Sequence, residues 1–385
     1  MSLRILIAPS GFKESLEADE VADCIEIGIL RACPDAQIKK APLVDGGEGF
    51  TKALVAATGG TLHNITVQGP VGQPVESHYG FLGNTDVKTA VLEMAAAAGL
   101  RLVPREVRNP LLTTTYGVSE LIKAALDAGA ERILVGCGDS GTNDGGAGMA
   151  QALGVQLLDA EGKELGKGGG ELVKLKRIEL CDRDPRLAQV QIDVACNWHN
   201  FLCGAKGVAR VFGPQKGASP EVVEQLAADL DHYADVIERD MGIDTRETPG
   251  SGASGGLGTG LSVFLQAKLH PRYDIVMQYL EIDSLLSESD LVVTAEGSID
   301  FQTPRGKIPV EVAQRAKKYQ LPVIALAGTI GKDAQLNLEH GIDSFESILD
   351  APCTLDQAIA NAPELVTNAA ERVMRLMLVG QQLKL

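Results

Sequence analysis

The stretch LRILIAPSGFKESLEADEVADCIEIGILRACPDAQIKKAPLVDGGEG, residues 3–49, decides the fold. Leu3–Pro9 is a short apolar run that ends in Ser10-Gly11, the pattern of a buried strand leading into a turn. From Ser15 to Cys33 the residues Val21, Cys24, Ile25 and Ile29 recur at helical spacing, and Pro34 closes the helix. Gln37–Val44 reads as the next strand, and Asp45-Gly46-Gly47-Glu48-Gly49 opens a helix running to about Thr58. The order is β-α-β-α. In such a sheet ligands bind at the C-terminal ends of the strands, and Lys13 and Asp45 both fall there.

The same grammar returns near the other end of the chain. Asp290–Glu296 is an apolar strand, followed by a helix at Pro309–Tyr319, a strand at Pro322–Ala327, a strand at Ser344–Ser347 and a long helix at Glu364–Leu378. The middle reads differently. Leu62–Gln68 and Ser77–Leu82 flank GPVGQP as a hairpin. Short strands at Val91–Met94, Arg132–Cys137, Val155–Leu158 and Gln191–Cys196 alternate with helices at Thr113–Ala128, Pro220–Met241 and Gly255–Lys268. At 385 residues the chain exceeds one ordinary core. The expected fold is therefore α/β with two domains. One is a Rossmann-like parallel-sheet domain built from both chain ends, residues 1–62 plus 288–385; a second α/β domain with Gly-rich ligand loops is inserted at residues 63–287.

Composition narrows the function. The net charge of −16 argues against nucleic acid and anionic membrane as partners, while leaving room for a local basic pocket. Only 4% of residues are aromatic, which suits small-residue contacts between helices and parallel strands. The seven cysteines are odd in number and form no CxxC pair, as in a cytoplasmic protein with reduced thiols. Cys196, His199 and Cys203 have no second ligand pair, so they read as buried thiols rather than a metal site. MSLRILIAPS is too short an apolar run for a signal peptide, and no window is long enough to span a membrane.

Two segments carry the chemistry. The first is GDSGTNDGGAG, Gly138–Gly148, where glycines let backbone N–H groups approach a ligand beside Ser140, Thr142, Asn143 and Asp144. Gly136–Gly141 also matches GxGxxG between a strand and a helix, with Asp159 after the next strand, so a nicotinamide dinucleotide dehydrogenase is a second reading. Against it, Thr142, Asn143 and Asp144 stand where an apolar helix face should begin. The second segment is Glu296–Lys307, EGSIDFQTPRGK: two acids at a strand end, then Arg305 and Lys307 at a helix start. Carboxylates hold metal ions and lysine neutralises phosphate. Lys13 heads the first helix, where amides and ammonium bind an anion. Asp45 and Glu48 are ligands for a metal or hydroxyl, or simply complement a helix dipole. The rigid turn Val211–Gly217 presents Lys216, either to a ligand or to solvent.

These strings resemble the bacterial class I glycerate kinases over essentially the whole chain. The matching motifs are KESL (Lys13–Leu16), DGGEG (Asp45–Gly49), EMAAAAGL (Glu93–Leu100), TNDGGAGMAQALG (Thr142–Gly154), FGPQKGAS (Phe212–Ser219), EGSIDFQTPRGK and PVIALAGT (Pro322–Thr329). The resemblance implies ATP- and Mg²⁺-dependent phosphorylation of D-glycerate to 2-phosphoglycerate. It also implies an active-site cleft between two α/β domains, in a monomer or homodimer. Lys13, Asp45, Asp300 and Lys307 are then the catalytic candidates. Ser10, Glu48, Asn197, Lys216 and Arg305 are candidates for substrate and phosphate. Gly138, Ser140, Thr142 and Asn143 are candidates for nucleotide, and Glu296 and Asp300 for metal. The chain departs from the family pattern at Ser10, Asp139, Asn197, Ala295 and Ser298, which raises a further reading: a relative with altered specificity or without catalysis.

Overall fold

A computed structural model describes residues 2–83 and 85–382. Among them the strands, in chain order, are β1 (Arg4–Ile7), β2 (Gln37–Lys40), β3 (Thr61–Gln68), β4 (Pro74–Phe81), β5 (Thr89–Glu93), β6 (Arg132–Gly136), β7 (Gln156–Leu158), β8 (Arg177–Glu179), β9 (Gln191–Cys196), β10 (Lys268–Pro271), β11 (Leu291–Ile299), β12 (Val323–Ile330) and β13 (Ser344–Ser347). The chain forms two compact units, Met1–Val44 with Val276–Leu385, and Asp45–Ile275.

The unit made from the chain ends is a five-stranded sheet in the order β13-β12-β11-β1-β2, parallel throughout. Successive residues of β1 are buried on both faces: Ile5 and Ile7 join the cluster with Val21, Ile25 and Val366, while Leu6 alternates to the other face. Helices Ala18–Ala32 and Ala362–Gln382 touch so closely that a Cβ on Gly28 would lie 2.2 Å from the Thr367 carbonyl oxygen. β2 lies on one side of β1 and β11 on the other, so the strand order reverses between β1 and β11. That reversal is where open α/β sheets hold ligands.

The inserted unit has a six-stranded sheet, β10-β9-β6-β5-β4-β3. Strands β10, β9, β6 and β5 run parallel, and the β3–β4 hairpin closes one edge antiparallel. Its core includes Leu92, Val118, Leu121, Ile133, Tyr233 and Phe264. The first division falls at Val44/Asp45, ahead of the 62/63 position read from sequence. Helix Phe50–Thr58 buries Phe50, Leu54 and Val55 against β4 and β5, so it belongs with the insert. The second division lies inside helix Arg272–Tyr279 rather than at 287/288. The helix expected to reach Lys268 stops at Leu265, because Gln266 turns left-handed at φ 57°, and Lys268–Pro271 becomes strand β10.

Candidate active site

The Gly-rich segment follows β6 but does not open a helix at once: β6 ends at Gly136 and the next helix begins at Ala147. The loop between them is organised by Asp144, which is fully buried. Its Oδ2 accepts from Thr115 N (2.8 Å), Thr115 Oγ1 (2.9 Å) and Gly148 N (3.2 Å), and its Oδ1 accepts from Gly146 N (3.2 Å). Burial raises this carboxyl above its ordinary range, and the same hydrogen bonds oppose the rise. Asp144 is therefore occupied by Thr115, Gly146 and Gly148, not presented to a ligand. Another Gly-rich stretch, residues 250–260, packs on this loop. Ser254, Gly255 and Gly256 are consecutive left-handed residues, and a Cβ on Gly255 would sit 1.8 Å from the Thr142 carbonyl oxygen.

Lys216 closes the cluster. It ends the single turn Pro214–Lys216 and is only 2% exposed, so the solvated alternative is excluded. Its ammonium donates to Ser140 Oγ (2.9 Å), the Thr142 carbonyl (2.6 Å) and Asn143 Oδ1 (2.8 Å). An ammonium has three donors, and all three are used. Burial pushes the group down to about 7, while the Asp144 carboxylate holds it up. The nucleotide candidates Ser140, Thr142 and Asn143 thus share one hydrogen-bonded cluster with the phosphate candidate Lys216. Thr142 Oγ1 and Asn143 Nδ2 are buried in it without a hydrogen-bond partner.

The DGGEG loop meets the same Gly-rich segment. A Cβ on Gly138 would fall 2.6 Å from Gly47 Cα, and one on Gly47 would fall 2.1 Å from Asp139 Oδ2. Asp139, left-handed at φ 47°, uses that space to accept from Glu48 N at 3.0 Å. The departure at 139 is therefore a tie between two loops. Asp45 Oδ1 accepts from Gly47 N (3.1 Å) and its Oδ2 lies 3.5 Å from Arg272 Nη1, while Glu48 pairs with Arg101 at 2.8 Å. Helix Phe50–Thr58 has glycine at its N-cap and borrows its cap from β5: the buried Glu93 accepts from Gly49 N (3.0 Å) and Thr51 N (2.7 Å). Sequence reasoning missed Glu93 as a site support. Its only sequence signal is an acid at the end of an apolar strand. Asn197 follows β9, and its Oδ1 accepts from His199 N at 3.1 Å. Asp193, earlier on that strand, faces His270 at 2.9 Å.

In the other unit, Ser10 leaves β1 and its N donates to the Ala295 carbonyl of β11 at 2.8 Å, at the strand-order reversal. Lys13 is exposed in the turn that follows. Strand β11 continues to Ile299, so Glu296 lies within the strand and Asp300 just beyond it. Four strand residues separate their Cα atoms by about 13 Å, so the acids are not side by side. Asp300 Oδ1 accepts from Gln302 N (2.8 Å) and its Oδ2 from Ser298 Oγ (3.3 Å). Lys307 Nζ donates to the Ser298 carbonyl (3.2 Å) at the start of helix Ile308–Lys317. Ser298, Asp300 and Lys307 are thus brought together, while Arg305 lies over the Phe301 ring at 5.6 Å.

The dinucleotide reading fails on topology. Strand β7 pairs antiparallel with β8 in a separate ribbon, so β6 and β7 form no parallel βαβ unit. Asp159 Oδ1 closes its own turn by accepting from Glu161 N (3.0 Å) and Lys163 N (2.8 Å). Among the described residues there is no group of three metal-ligating side chains, and no helix is long and apolar enough to cross a membrane. Burial pushes the Cys196 thiol up to about 12.

Comparison with known proteins agrees with the motifs. Residues 5–378 match the model of the glycerate kinase family. The chain is 48% identical over 371 residues to the glycerate kinase of Bacillus subtilis (strain 168), covering 96% of this chain and 97% of that one. It is 46% identical over 380 residues to the glycerate 2-kinase of Escherichia coli (strain K12), covering 99% of each. A crystal structure from Salmonella typhimurium LT2 ascribed to glycerate kinase 2 superposes with a TM-score of 0.89 at 45% identity, over 99% of this chain and 100% of that one.

Proposed function

The chain belongs to the glycerate kinase family, and from that membership we propose that it transfers the γ-phosphoryl group of ATP to D-glycerate, giving 2-phosphoglycerate. The observation that carries this reading is the similarity to a glycerate 2-kinase across 99% of both chains. Phosphoryl transfer asks a protein for in-line positioning and charge neutralisation more than for covalent help. The Gly-rich loop suits the anionic reactant: it combines a buried ammonium, Lys216, with the unpartnered Thr142 Oγ1 and Asn143 Nδ2.

In the inserted unit we assign Gly138, Ser140, Thr142 and Asn143 to the nucleotide phosphates. Asp45, Glu48 and Asn197 at the neighbouring strand ends are assigned to the substrate hydroxyls. In the unit built from the chain ends, Ser10, Lys13, Arg305 and Lys307 supply positive charge and donors for phosphoryl and carboxylate oxygens, at the reversal point of the sheet. Mg²⁺ commonly binds one or two carboxylates together with substrate phosphates. Glu296 and Asp300 are the candidate carboxylates; with their Cα atoms about 13 Å apart in an extended strand they are alternatives rather than a pair, and one carboxylate suffices beside the phosphates. When bound, the ion neutralises charge on the phosphate oxygens. Asp300 is held by Ser298 and Gln302, an orientation that also suits alignment of the attacking hydroxyl.

The test is a coupled assay of ADP release with ATP, Mg²⁺ and a panel of three- to six-carbon hydroxy acids, followed by NMR of the product. D-glycerate should be the preferred acceptor, with phosphorus coupled to the C2 proton. Phosphorylation at C3 would overturn the regiochemistry. Preference for another acid would establish the altered-specificity reading, with Asn197 as the first position to revert to Asp.

A further inference from the structure

The cluster around Lys216 resolves into two different roles. An ammonium only donates hydrogen bonds, so the side-chain atom of Asn143 that faces Lys216 Nζ at 2.8 Å must be the amide oxygen. While Lys216 is protonated, this fixes the flip of the amide. The amide nitrogen, with two N–H donors, is thereby turned away from the lysine, and it is buried with no acceptor. Buried donors are almost always satisfied, and an orphan calls for a specific partner. The adjacent Thr142 Oγ1 is likewise buried and unpartnered. Two orphan groups, a nearby ammonium and a glycine-lined backbone together describe a place for an oxyanion. The ammonium itself has no donor left for that oxyanion, because Ser140, Thr142 and Asn143 take all three.

We propose that Asn143 Nδ2 is a direct donor to an anionic oxygen of the bound reactants, and that Lys216 is a positioning residue acting through it. Lys216 holds the Asn143 amide in the one orientation that presents its N–H groups. The inference rests on the kinase reading given above and deepens it. The oxyanion is a phosphate oxygen of ATP or the carboxylate of glycerate, and the two sources are separable by measurement.

The discriminating variant is Asn143→Asp. It is nearly isosteric and keeps an oxygen facing Lys216, so the fold is retained and checked by thermal denaturation. It replaces the two donors with a negatively charged acceptor, which repels an oxyanion. Binding of ATP and of D-glycerate is measured separately by calorimetry on the full chain, alongside steady-state kinetics. The expected result is a loss of at least ~100-fold in affinity for one ligand, matched by its KM. Loss for ATP identifies the phosphate source, and loss for glycerate the carboxylate source. Lys216→Met should raise the same KM, and in an Asn143→Ala background it should add little, because both act through one amide. Unchanged Kd values for both ligands in Asn143→Asp, with the wild-type chain binding both, would overturn the proposal while leaving the kinase reading intact. Full additivity of Lys216→Met and Asn143→Ala would overturn the positioning role. If the wild-type chain binds neither ligand, the kinase reading falls and this inference falls with it.

Discussion

Asp144→Asn tests whether this buried carboxylate anchors the Gly-rich loop. An amide presents one oxygen, so it can satisfy only one side of the pattern made by the carboxylate. With the oxygen in the place of Oδ2, the bonds from Thr115 N, Thr115 Oγ1 and Gly148 N survive. The NH₂ group then faces Gly146 N, 3.2 Å from the present Oδ1, and two donors oppose each other. Losing one hydrogen bond to a charged acceptor costs about 1.5–3 kcal/mol, and a buried donor left unsatisfied costs about 1–3 kcal/mol more. Removing a buried charge returns part of this, because burial already disfavours the ionised carboxyl. The net expectation is a destabilisation of about 2–4 kcal/mol. The chain has one tryptophan, Trp198, and it lies in the inserted unit with the loop. Guanidinium unfolding followed by its fluorescence therefore reports the relevant transition. Turnover should fall as well, because the bonds to Thr115, Gly146 and Gly148 set the course of the backbone that carries Thr142 and Asn143. A midpoint shift worth less than about 1 kcal/mol, with normal kinetics, would refute the view that Asp144 anchors the loop.

Three further outcomes are expected. Gly255→Ala should destabilise the inserted unit by at least about 2 kcal/mol, because its φ of 73° is left-handed and the new Cβ would meet the Thr142 carbonyl at 1.8 Å; an unchanged Trp198 unfolding midpoint would show that the two loops are not in firm contact. Lys307→Ala should lower kcat/KM by at least ~100-fold with the fold intact, and near-normal kinetics would remove Lys307 from the site. Lys216 should make stability depend on pH: its ammonium, ordinarily near 10.5, is pushed down to about 7, so between those values the unfolded chain binds more protons and stability rises with pH. This contribution is fully present above 10.5 and lost as pH falls through 7. It is at most about 5 kcal/mol, and less because three acceptors favour the charged form. Denaturation of wild type and Lys216→Met at pH 6.5 and 9.5 should show the stability difference moving toward wild type at the higher pH, and a constant difference would mean that Lys216 keeps its proton in the fold.

The strand and helix grammar of the chain ends was legible because it is local. An apolar run such as Leu3–Pro9 and the helical spacing of Val21, Ile25 and Ile29 depend on neighbours within a few residues, and β1 and helix Ala18–Ala32 form there. The family motifs were legible for the same reason, as contiguous strings. What lay beyond the sequence was decided by contacts between distant segments. The turn that carries Lys216 left ligand and solvent open as its surroundings, and the fold decides between them by bringing it to Ser140, 76 residues away in the chain, and burying it. Glu93 becomes a helix cap only because β5 ends against Gly49 and Thr51. Helix Phe50–Thr58 has the amphipathic pattern of either unit, and its burial on β4 and β5 assigns it to the insert. Periodicity and turn chemistry follow from the dihedral preferences of adjacent residues. The partner of a buried charge or an uncapped helix end is chosen by desolvation, whose cost is met only where tertiary packing supplies the matching donor or acceptor.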